Sequence, residues 1–91
     1  MAFKAMKLNE YQVTYIAYEL LNKKPFDANA VKAVLEVAKE QHPTSSIVYS
    51  RWGDYCIKLE DKENAVANYK QALVLDPSDE QTKDNLKQLM K

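Results

Sequence analysis

Residues 46–77 read SIVYSRWGDYCIKLEDKENAVANYKQALVLDP, and this stretch decides the fold. In its first half Tyr49, Trp52 and Cys56 recur at intervals of three and four. In its second half Ala65, Val66, Tyr69, Ala72, Leu73 and Leu75 do the same. That is the period of an amphipathic helix. Between the halves Glu60-Asp61-Lys62 makes a short turn, and Pro77 ends the second helix because it disfavours helix in the residue before it. The stretch predicts two antiparallel helices.

Similar punctuation divides the rest of the chain. A first helix is predicted from about Leu8 to Asn22, stopping before Lys23-Lys24-Pro25-Phe26-Asp27. Asp27 caps a second, about Ala28 to Gln41, which carries the stripe Ala30, Val31, Val34, Leu35, Val37, Ala38 and ends at His42-Pro43. Thr44-Ser45-Ser46 offers caps for a third helix, about Ile47 to Leu59, and the fourth spans about Glu63 to Leu75. Ser78-Asp79-Glu80-Gln81 has the S-x-x-Q spacing of a capping box and opens a fifth, running to about Met90.

Composition agrees with an all-α single domain over 1–91. The single glycine argues against all-β folds, whose turns need several, and rules out glycine-rich phosphate loops. Thirteen basic residues balance thirteen acidic ones, so the electrostatic footprint of a nucleic-acid binder or a polybasic membrane module is missing. One cysteine and one histidine make neither an internal disulfide nor a structural zinc site. No cofactor and no metal are expected. No segment reaches the roughly 18 apolar residues of a membrane span, and Met1–Lys7 lacks a signal peptide's apolar run. The chain as written is expected in the cytoplasm; a piece of a longer exported protein would read the same way.

Pro43 and Pro77 lie 34 residues apart, and the same shift pairs Val31 with Ala65, Leu35 with Tyr69 and Ala38 with Ala72. This pattern resembles the tetratricopeptide repeat family, a helix–turn–helix repeat of about 34 residues. Tyr49 takes the first aromatic position, Trp52-Gly53 the large–small pair and Cys56 the place of the second aromatic. Ala65, Tyr69, Ala72 and Pro77 complete the set. The steric logic is that Gly53, Ala65 and Ala72 let helices approach while Tyr49, Trp52 and Tyr69 fill the space between them. A degenerate copy precedes it. A straight 34-residue shift puts Tyr15, Tyr18, Glu19 and Asn22 at the packing positions of the first helix. Two extra residues in the following turn put Val13, Ile16, Ala17 and Leu20 there instead, the preferred alignment. The resemblance implies a right-handed α-solenoid of antiparallel pairs: a degenerate repeat over 10–43, a clear one over 46–77 and a capping helix over 78–90. The capping helix has Leu86, Leu89 and Met90 on its packed side.

The first helix is apolar on two sides, with Leu8, Tyr11, Tyr15 and Tyr18 opposite the packing stripe. Such a helix is covered twice or offers one side to a partner. In the preferred alignment Tyr11, Tyr15 and Tyr18 fall where the family's first helices line a concave groove; alternatively Met1–Lys7, with Phe3 and Met6, covers the rings. On the third helix Ile47, Ser50, Arg51, Asp54, Ile57 and Lys58 would face that groove. Arg51 and Lys58 could hold a peptide carboxylate, or Arg51 pairs with Asp54 or Asp84 on a solvated face. The tyrosines stand where the family's carboxylate clamp wants polar groups, so that function is not carried over. Cys56 reads as an inert small hydrophobe, His42 as a complement to a helix C-terminus, and Glu60, Asp61 and Glu63 as acids beside a helix N-terminus.

The resemblance implies a non-enzymatic adaptor that binds a peptide or partner surface through its concave face. The contact residues would be Tyr11, Tyr15, Tyr18, Ile47, Arg51 and Lys58. Ile16–Leu21, the repeat and the Leu75–Asp79 stretch are also similar to helical tails appended to some bacterial serine hydrolases. That likeness implies an accessory domain or fragment serving domain packing or dimerisation, without a nucleophile of its own. A third reading is a two-fold homodimer through the tyrosine face.

Overall fold

The computed structural model describes residues 9–91, which fold into five α-helices and, among these residues, no strand. They are α1 Glu10–Asn22, α2 Ala28–Gln41, α3 Ser46–Lys58, α4 Lys62–Leu75 and α5 Glu80–Leu89. Each of the five helices starts on capping chemistry in which a short oxygen-bearing side chain satisfies a free backbone N–H. Asp27 Oδ1 accepts from Ala30 N at 3.1 Å, Ser45 Oγ from Val48 N at 3.3 Å and Asp61 Oδ1 from Asn64 N at 3.2 Å.

Two ends differ from the sequence expectation. Helix α1 starts at Glu10, because Asn9 and Gln12 form a reciprocal capping box with bonds of 2.8 and 3.0 Å; Leu8 lies outside the described residues. Helix α5 is capped by Asp79, which accepts from Thr82 N at 3.2 Å. Ser78, expected to cap it, turns back instead and donates through its N–H and hydroxyl to Asp76 at 3.1 and 2.6 Å. An aspartate one residue closer to the helix took the role.

The α3–α4 turn is closed by a Schellman motif. Glu60 N–H donates to Ile57 O at 3.0 Å and Asp61 N–H to Cys56 O at 2.9 Å. This geometry needs a left-handed residue after the cap, and Glu60 supplies it at φ 60° where glycine is the usual choice.

Helix α1 packs on α2 and α3, α2 also on α3, α3 on α4, and α4 on α5. The core falls into two clusters that share α3. The larger joins Val13, Ala17, Leu21, Val31, Val34, Leu35, Ala38, Val48 and Tyr55; the smaller joins Cys56, Ala65 and Tyr69, with Leu86 and Leu89 of α5 against it. The preferred packing stripe of α1 is therefore turned slightly: Val13, Ala17 and Leu21 form the buried i, i+4, i+8 ridge, and Ile16 and Leu20 flank it half-buried. On α5 the buried residue is Thr82, and Met90, expected on the packed side, is 61% exposed. It stands at the C-cap of the helix, where its N–H donates to Leu86 O.

Gly53 is the close approach between α3 and α4. A Cβ there would come within 2.6 Å of Tyr69 Cδ1 and 2.8 Å of its Cζ. Tyr69 is almost fully buried over it, and Ala65 and Ala72 are buried on the same helix. Trp52 stands edge-on to Tyr55, with centroids 5.7 Å apart, while Tyr49 is half-buried with Lys39 Nζ 5.5 Å from its ring centre. Among the described residues no helix is long and apolar enough to cross a membrane.

Candidate functional site

Three open hollows adjoin along the face formed by α1, α3 and α5. The first, about 400 Å³, is walled by Tyr11, Thr14, Tyr15 and Tyr18 of α1 and by Ile47 and Arg51 of α3. The second, about 390 Å³, shares Tyr18 and continues past Asp54, Ile57 and Lys58 to Asn85, Gln88 and Leu89 of α5. The third, about 210 Å³, shares Ile47 and Arg51 with the first and Asn85 with the second. Helix α3 is the floor and the other two helices are the walls.

The tyrosines of this surface face solvent. Tyr11 is 74% exposed, Tyr15 62% and Tyr18 50%. Their spacing puts them on one helical ridge, and no ring contact joins one to another. Tyr15 sits beside Glu19, whose carboxylate accepts from the phenol and pushes its pKa above the ordinary tyrosine range. The covering of this face by Met1–Lys7 concerns residues outside those described.

Arg51 is committed within the chain. Its Nη1 lies 3.1 Å from Asp54 Oδ2, and its guanidinium carbon is 5.4 Å from the centre of the Tyr18 ring. Its Nε–H is buried without an acceptor. Asp54 in turn accepts from Tyr69 Oη at 2.5 Å, so a relay runs Tyr18–Arg51–Asp54–Tyr69 from groove wall to core. Burial, then the bond to Asp54, raises the Tyr69 pKa far above its usual value. Arg51 is thus paired with Asp54 through one Nη while its Nε–H has no acceptor. Lys58, grouped with it in the sequence, lies in the next hollow, and the structure does not bring it to Tyr11 or Ile47.

Ser50 lines the third hollow but is itself largely buried, and its hydroxyl bonds that of Thr82, which donates to Asp79 Oδ2 at 2.6 Å. The pair fastens α5 to α3. Cys56 is buried at the α4–α5 side, where desolvation raises its thiol pKa, and Asn68 approaches its sulfur at 3.8 Å. Among the described residues no group of three His, Cys, Asp or Glu side chains is arranged to hold a metal ion. Asp61 is instead spent on the α4 cap.

The α5 wall, Asn85, Gln88 and Leu89, is what sequence reading missed. Its signal was the three- and four-residue spacing of those residues on a helix read as merely solvating. Comparison with family models, with curated proteins and with solved structures returned no match.

Proposed function

We propose that the chain is a non-enzymatic protein–protein interaction module: a short tetratricopeptide-like array, two helix pairs and a closing helix, that binds a peptide segment along the α1–α3–α5 face. The observation that carries this reading is the run of adjoining hollows walled by three exposed tyrosines. Large stiff aromatic surface at little entropic cost is what recognition surfaces use. The Gly53–Tyr69 seat and the buried Ala65 and Ala72 support the repeat reading, since these are the positions where the family keeps helices close.

The test is selection of displayed random peptides on the wild-type protein, followed by a Tyr11→Ser, Tyr15→Ser, Tyr18→Ser triple variant. Because all three rings are exposed, helical circular dichroism should persist while binding of the selected peptides drops at least tenfold. Undiminished binding by the triple variant would remove the tyrosine face from the reading.

A further inference from the structure

We infer that a hollow between α2 and α3 takes an arginine side chain of a partner protein, its guanidinium plane laid on the Trp52 indole and its edge directed to Glu36 and Glu40. The hollow, about 470 Å³, is lined by Glu36, Lys39 and Glu40 of α2 and by Trp52 of α3. It shares no residue with the three hollows of the groove, so this site is independent of the peptide-binding reading above and of its test.

Trp52 sets what the hollow can touch. The side chain packs partly on the larger core cluster, and its Nε1–H is buried without an acceptor. What the indole leaves open is therefore ring carbon, an aromatic surface with no hydrogen-bonding group. Buried Tyr55 meets it edge-on, with centroids 5.7 Å apart, and holds the ring in place.

Charge sets what can settle there. Glu36 and Glu40 are exposed one turn apart on α2, about 6 Å along the helix axis. Among the described residues neither has a cation within ion-pair distance. Lys39, the cation in the lining, lies instead over the Tyr49 ring, 5.5 Å from its centre. Two carboxylates against one lysine leave the lining net negative.

A ligand has to satisfy both surfaces at once. An apolar group would cover the indole but strip water from unpaired carboxylates. An anion would be repelled. An ammonium answers the carboxylates, but it is a compact, strongly hydrated charge with no plane to lay on a ring. A guanidinium brings a weakly hydrated face for the indole and N–H donors around its edge for the carboxylates.

Trp52 is the chain's single tryptophan, so its emission reports from the hollow itself. The protein is titrated at low salt with acetylated, amidated tetra-arginine and with tetra-lysine of the same charge. The indole N–H resonance is followed in parallel, so that a silent emission is not read as absence of binding. A saturable change is expected, with a midpoint at least about threefold higher for tetra-lysine. Glu36→Gln combined with Glu40→Gln should raise the tetra-arginine midpoint about fivefold with the circular dichroism unchanged, because both side chains are exposed. Glu63→Gln, on an exposed acid in the first turn of α4, should leave the midpoint within about twofold. Any of three results overturns the proposal: no change in emission or resonance at about 10 mM tetra-arginine, equal midpoints for the two peptides, or an unaltered midpoint in the double variant.

Discussion

Gly53 and Tyr69 behave as one fitting, and a methyl group measures how tight it is. Alanine favours helix over glycine by about 1 kcal/mol, yet at position 53 its Cβ would press on a ring that Asp54 holds from the other end. Overpacking of this kind costs about 1–3 kcal/mol, so after the helix gain Gly53→Ala should lower the urea-derived stability by up to roughly 2 kcal/mol. In a Tyr69→Ala background the sign should reverse, because only the helix preference is left; the same loss in both backgrounds would refute the contact. Tyr69 also makes stability sensitive to alkali. Its pKa is raised in the fold, so the folded protein keeps a proton that the unfolded chain releases. Stability is then complete below the unfolded value near about 10 and falls by about 1.4 kcal/mol per pH unit above it. Urea midpoints from pH 8 to 11 would show the slope, and Tyr69→Phe should make it shallower. Tyr15, Tyr55 and the Cys56 thiol, all also raised, contribute to the slope that remains. At this scale the sequence showed Gly53 as a place for a small residue and offered Asp54 as a partner for Arg51. It did not show Tyr69 as the third member of that relay. The bond spans two helices, and nothing in the spacing of residues 51, 54 and 69 encodes their rotamers.

The helices themselves were legible because their ends rest on local chemistry: aspartate and serine caps, and proline after a helix. The exceptions are instructive. At α5 two capping candidates stood side by side, and the winner was Asp79, whose second oxygen also receives the Thr82 hydroxyl. Asp79→Ala should therefore cost about 1–2 kcal/mol, whereas Ser78→Ala should change the thermal midpoint little; the opposite order would restore Ser78 as the cap. At α3 the left-handed residue is a glutamate, which no glycine signal announced. Replacing Glu60 by Gly should raise stability by about 0.5–1 kcal/mol, since a Cβ in that region is a standing cost that glycine removes. Equilibrium unfolding in urea measures the gain. No gain would mean that the freedom glycine adds to the unfolded chain offsets the relief.

For the whole molecule, the all-helical class followed from composition and period, but the groove did not. Its α5 wall depends on how the last helix is hung on α3, a long-range contact between residues 50 and 82 that periodicity cannot see. Helix α5 has one fully buried side chain, Thr82, and otherwise leans on half-buried Leu86 and Leu89. Elements with so little burial open before the rest of a fold. Behind those two leucines sits Cys56, the chain's single thiol. That placement turns the cysteine into a built-in clock. A thiol reagent reaches it when α5 swings away, so labelling should outpace global unfolding and stay nearly flat at low urea. Thr82→Val, which unhooks the helix, should speed it about tenfold, while labelling that merely tracks global unfolding would show that the last helix never moves alone. A groove whose far wall keeps such time is one whose width a bound ligand can set.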